Sequence, residues 1–116
     1  MNAKLMSYNT QDFPTKFHME AHIKELEKIT SDIEMVNKLK RAGLISYTLT
    51  QVWNKQGKFR LGHYWSYKDE KSFVNCQKII NQIPRDDEDS ASNNSILQAD
   101  RGIVLLNVNN NWLIYL

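Results

Sequence analysis

The apolar residues of this chain change period along its length, and that change limits the folds open to it. From about Glu20 to Ala42, Ile23, Leu26, Ile29 or Ile33, Val36 and Leu39 recur every three or four positions, with Lys and Glu filling the places between. That spacing predicts an amphipathic helix. Gly43 follows its last turn and suits a left-handed terminating residue, with Lys40 and Arg41 near the negative end of the helix dipole. Thr30, Ser31 and Asp32 favour cap positions and mark a point where the helix can divide. From Leu44 to Trp53 the period falls to two: Ile45, Tyr47, Leu49 and Trp53 alternate with Ser46, Thr48 and Thr50. After the turn Asn54-Lys55-Gln56-Gly57, the segment Lys58 to Ser66 alternates again, with Phe59, Leu61, His63 and Trp65 on one face. The two segments predict a hairpin. Lys68-Asp69-Glu70 then opens a second helix, capped by Asp69, striped by Phe73, Cys76 or Gln77, Ile80 and Ile83, and stopped by Pro84.

The flanks complete the pattern. Leu5 to Tyr8 reads as a short strand, and Thr10 to Thr15, holding Pro14, reads as a loop. Residues 84–95 carry an acidic run without large apolar side chains and predict a flexible, solvated loop. Gly102 to Val108 reads as a strand, Asn109 to Asn111 as a turn, and residues 112–116 as a C-terminal strand or arm that docks on the sheet or across a dimer. The resulting order is βαββαβ, which is the ferredoxin-like arrangement of the α+β class, an antiparallel four-stranded sheet with two helices on one face. At 116 residues the chain has room for a single domain, 1–116. The other face of that sheet reads as aromatic and aliphatic enough to need a cover, and a second copy is the simplest one, giving a homodimer through sheet faces.

Composition removes several classes of function. The formal charge of +2 gives no general reason to expect a nucleic acid or an anionic membrane as partner, since both require basic residues gathered on one surface. The longest aliphatic run, Ile103 to Leu106, is far short of a membrane span. The N-terminal residues are polar and lack the apolar run of a secretory signal, and one cysteine makes no internal disulfide, so a cytoplasmic location is expected. No Gly-rich phosphate loop or nucleophilic Ser motif is present.

The stretch Gly57-Lys58-Phe59-Arg60-Leu61-Gly62-His63-Tyr64-Trp65-Ser66-Tyr67-Lys68-Asp69-Glu70-Lys71-Ser72-Phe73 resembles the third strand and following helix start of the dimeric α+β barrel superfamily. In that superfamily an aromatic strand ends in Trp, followed by a polar turn, acidic residues and a Phe opening the helix; Trp65, Asp69, Glu70 and Phe73 hold those places. The superfamily includes antibiotic biosynthesis monooxygenase-like, stress-responsive barrel and haem-degrading proteins. The resemblance implies a homodimeric barrel with a pocket between helices and sheet in each subunit. It also implies, as one reading, a cofactor-free monooxygenase-like enzyme acting on a small aromatic or quinone-like substrate. Haem-degrading members are similar in carrying an Asn on the first strand, a role open to Asn9, with a Trp and a His on the second helix. Phe73 to Ile83 carries neither, so haem of that kind is not expected, nor is any other cofactor.

On this resemblance His63 and Asn9 are the candidate catalytic residues, as proton relay or oxyanion-stabilising groups, and Trp65 and Tyr47 are the candidate substrate-binding residues. Each has a plainer reading. His63, sharing a face with Phe59, Leu61 and Trp65, serves equally as a hydrogen-bonded core residue. His18 and His22, four apart, suit one helical face, but no carboxylate motif completes a metal site and none is expected. Cys76 lies on a buried stripe and reads as a small apolar residue. The alternative function is a non-catalytic barrel that binds a small ligand or a partner protein.

Overall fold

The computed structural model describes residues 3–84 and 94–108. The elements run β1 (Leu5–Phe13), α1 (Lys16–Thr30), α2 (Ile33–Arg41), β2 (Leu44–Gln51), β3 (Phe59–Tyr67), α3 (Glu70–Ile80) and β4 (Ile96–Ile103). The sheet has four strands in the order β2-β3-β1-β4, and every neighbouring pair is antiparallel. This is the expected α+β, ferredoxin-like arrangement with helices against one face.

Each helix end has a local cause. Thr15 caps α1 by accepting from the backbone N–H of His18 at 3.1 Å, so the helix begins four residues before the Glu20 suggested by apolar spacing. At the other end Thr30 and Ser31 hydroxyls donate back to the carbonyls of Leu26 and Glu27 at 2.8 and 2.7 Å. Asp32 then accepts from the Met35 N–H at 3.2 Å and starts α2. The first helical stretch is therefore two helices. Asp32→Ala is expected to cost about 1 kcal/mol, measured by urea unfolding. Asp69 caps α3 as expected, accepting from both the backbone N–H and the hydroxyl of Ser72, at 2.8 and 2.7 Å. That helix ends at Ile80, ahead of Pro84.

Three strands differ from the sequence reading. β1 continues through Thr10, Gln11 and Asp12 to Phe13, where a loop was expected, because it is a central strand paired on both sides, with β3 and with β4. β4 occupies Ile96–Ile103 rather than Gly102 to Val108. Apart from Gly102 it is exposed along its length, so backbone pairing to β1, and not an apolar face, defines it. β2 stops at Gln51, which leaves Trp53 outside the strand and 91% exposed. Residues 85–93 of the acidic segment and the expected turn and arm at 109–116 lie outside the described residues.

The register assigns the faces. Leu5, Ser7, Asn9, Gln11 and Phe13 of β1 stand opposite Tyr67, Trp65, His63, Leu61 and Phe59 of β3, and all point at the helices. Two apolar clusters hold the layers together: Phe13, Met19 and Leu61 under α1, and Leu39, Tyr67 and Cys76 between α2, β3 and α3. The outer face carries Met6, Tyr8, Thr10, Gly62, Tyr64 and Ser66. It is more polar than the sequence suggested, and a two-pronged ion pair from Arg60 to Asp12 also lies there, holding the Asp12 carboxyl below the usual carboxylate range. The Tyr8 and Tyr64 rings lie close over glycine backbone. A Cβ at Gly102 would sit 3.1 Å from the Tyr8 hydroxyl, and one at Gly62 would sit 3.1 Å from the Tyr64 ring.

Candidate functional site

Between the helices and the sheet lies a cavity of about 930 Å³. Its polar floor comes from the sheet. Tyr47 on β2, His63 on β3, and Asn9 and Gln11 on β1 all point into it. A bulge at Ile45 makes this possible on β2: Leu44 pairs with Tyr67 and Ser46 with Ser66, so the extra residue resets the alternation and brings Tyr47 opposite Trp65 on the helix-facing side. The helical wall is mostly aliphatic, supplied by Leu26 and Ile29 of α1, Met35, Val36 and Leu39 of α2, Ile80 at the end of α3 and Ile83 just beyond it, with His22 and Thr30 of α1 and Lys40 of α2 as its polar members.

The floor is hydrogen-bonded end to end. Gln11 Nε2 donates to Ser95 Oγ at 2.7 Å, which turns Gln11 Oε1 toward His63 Nε2 at 3.0 Å. An acceptor there requires a proton on Nε2, so Nδ1 holds a lone pair and accepts from the Tyr47 hydroxyl at 2.8 Å. His63 is only 7% exposed. Burial, with the nearby His22 adding to it, pushes its pKa down to about 4. Burial also pushes the Tyr47 phenol up to about 12. At neutral pH the pair is therefore an uncharged phenol donating to an uncharged imidazole. Trp65 lies against Tyr47, their ring centroids 4.2 Å apart and the planes tilted by 39°, and Asn9 accepts from Ser7 Oγ at 3.2 Å.

All four residues singled out in the sequence, His63, Asn9, Trp65 and Tyr47, line this one cavity. Sequence reasoning missed three others. Gln11 was assigned to a loop, although its place two residues after Asn9 puts it on the same face once β1 is extended. His22 lies on the buried stripe of α1 with Met19, its ring 6.3 Å from that of His63 and its Nδ1 3.8 Å from Glu25 Oε2. With a helix start at Lys16, the spacing Met19, His22, Ile23, Leu26 would have revealed it. Ser95 sits in a polar run with no periodic signal. His18 interacts with its own cap residue Thr15, its Nδ1 2.6 Å from Thr15 Oγ1. Among the described residues no cluster of His, Cys, Asp and Glu is arranged to hold a metal ion, and no helix is long and apolar enough to cross a membrane.

The family model described as Domain of unknown function (DUF6974) matches residues 2–104. The chain belongs to this family. No protein of curated function matches the sequence. Among solved structures, a dimeric ferredoxin-like protein from an uncultured marine organism is 26% identical, with a TM-score of 0.78 over 92% of this chain and 100% of that one. A second dimeric ferredoxin-like protein from an uncultured marine organism is 21% identical, with a TM-score of 0.83 over 94% of each chain. A conserved protein of unknown function from Bacteroides thetaiotaomicron is 8% identical, with a TM-score of 0.50 over 89% of this chain and 100% of that one. These likenesses establish the ferredoxin-like fold for the family member described here.

Proposed function

We propose that this protein is a cytoplasmic homodimer that binds a small hydroxylated aromatic or quinone-like compound in the cavity of each protomer, where Tyr47 and His63 handle its proton without a resident cofactor. The observation that carries this reading is the hydrogen-bonded chain Tyr47, His63, Gln11, Ser95, buried at His63 and Gln11, along the floor of a cavity of about 930 Å³. A ligand hydroxyl beside Tyr47 Oη gives its proton to Tyr47 as the Tyr47 proton passes to His63 Nδ1. Gln11, accepting from Nε2, holds the imidazole in the orientation this transfer needs. Asn9 supplies an amide near the oxygen that becomes negative, and the Trp65 and Tyr47 rings offer a stacking surface. The phenolate or enolate so formed is the electron-rich species from which a monooxygenase-like reaction with dioxygen begins.

Pure binding is the second reading, and the low basicity of His63 favours it. A group with a pKa of about 4, paired with a phenol near 12, keeps its protons fixed at neutral pH and recognises a hydroxyl or carbonyl without moving a proton. A screen of polyphenols, quinones and hydroxynaphthalenes by thermal unfolding tests both readings. A bound compound at a hundred times its Kd is expected to raise stability by about 2.7 kcal/mol, and Tyr47→Phe and His63→Gln are each expected to weaken that binding about tenfold. Dioxygen uptake with the bound compound separates enzyme from binder. No stabilisation by any compound of these classes would refute both.

The homodimer is supported by the dimeric state of the marine protein 26% identical to this chain. It is also supported by the outer sheet face, where Tyr8 and Tyr64, 44% and 41% exposed, lie close over glycine backbone and leave a level surface for a second sheet. Light scattering after gel filtration is expected to return twice the mass of the chain, and Tyr64→Arg, which sets two like charges face to face, is expected to return the monomer. A wild-type monomer at micromolar concentration would overturn this assembly.

A further inference from the structure

A single aromatic ring does not account for the cavity. An apolar site of about 150 Å³ suffices for a benzene-sized guest, whereas this one has about 930 Å³, at the upper end for a drug-sized ligand. Its chemistry is also divided in space. The hydrogen-bonded groups Tyr47, His63 and Gln11 gather on the sheet, while the helical wall is mostly aliphatic, Leu26, Ile29, Met35, Val36, Leu39 and Ile80 outnumbering His22 and Thr30. Apart from the imidazoles, the only charged side chain among the described lining residues is Lys40, which is exposed in the last turn of α2. A ligand that fills such a space has one small polar end and a long apolar remainder, and the polar end is uncharged, because nothing at the floor answers a fixed charge.

Building on the ligand class proposed above, we propose that the natural ligand is an amphiphile, with a phenol- or quinone-sized uncharged head at Tyr47 and His63 and an aliphatic tail of several carbons lying along α1 and α2. The helical wall contributes affinity through the tail, and the sheet selects the head.

The probe series is phenol, 4-ethylphenol, 4-butylphenol and 4-hexylphenol, titrated calorimetrically into the full-length protein. Affinity is expected to rise by about fourfold per added methylene. Ile29→Trp or Val36→Phe, each placing bulk on the helical wall, is expected to flatten this gain, 4-hexylphenol losing more affinity than phenol. Tyr47→Phe is expected to lower every member of the series by a common factor. Phenol bound with no dependence on chain length would overturn the amphiphile and leave the aromatic-ligand reading standing; no phenol bound at any length would remove both. Hexyl sulfate bound more tightly than 4-hexylphenol would overturn the uncharged head. A chain ending at Val108 that gains affinity for 4-hexylphenol would show that the protein's own C-terminal segment fills the cavity, and would also overturn the proposal.

Discussion

Lowering the pH from 7 to 4 is expected to remove about 3 kcal/mol of stability through His63 alone. The imidazole titrates near 4 in the folded protein and near 6.5 when the chain is unfolded. Between those values the unfolded chain binds the extra proton and the folded one does not, so stability is full above about 6.5 and falls as the pH drops toward 4. At about 1.4 kcal/mol per pH unit, that interval corresponds to the stated loss. The carboxylate of Asp12, lowered by its pairing with Arg60, loses its contribution only at more acid pH, below the usual carboxylate value, and so stays out of this window. Urea unfolding at pH 7, 5.5 and 4.5 measures the slope, and His63→Gln should abolish most of it. Equal stability at pH 7 and 4.5 in the wild type would show that His63 is not held neutral by its surroundings.

Gly43→Ala is expected to cost about 3–5 kcal/mol, by the same measurement. Gly43 has φ of +110°, a region that disfavours any side chain. An added Cβ would lie 2.0 Å from Ser72 Oγ and 2.3 Å from Ser72 Cβ, so Ser72 must move. Ser72 is itself buried and donates to Asp69, which caps α3, and Gly43 accepts from the Lys68 N–H at 2.9 Å across the same junction. The substitution thus strains the exit of α2 and the start of α3 together. A cost below 1 kcal/mol would mean that this junction yields where the structure shows it closed.

What the sequence made legible was whatever burial writes into a period. The helix-facing residues Phe59, Leu61, His63 and Trp65 alternate visibly, and once the helices lie on that side the imidazole has to enter the cavity. Tyr47 follows from the same alternation on the adjacent strand. Structure held by backbone pairing left no such trace. Thr10 to Asp12 and Gln98 to Arg101 show no alternation of large apolar residues because their strands need none to be held in a ladder, and the end of β1 and the start of β4 differ from the sequence reading for that reason. Gln11 was lost with the first of these differences. The partnership of Tyr47 with His63 could not be read either, since it is a diagonal contact between residues of different strands whose register depends on the bulge at Ile45.

The separation of a polar floor on the sheet from an apolar wall on the helices bears on how members of this family diverge. Substitutions on α1 and α2 resize the cavity without touching the paired strands that hold Tyr47, His63 and Gln11 in place. Substitutions on the sheet alter the hydrogen-bonding chemistry without resizing the cavity. On the ligand proposed above, lineages that keep the three polar residues and vary Leu26, Ile29, Val36 and Leu39 would keep the recognition of the head while changing the tail it is joined to.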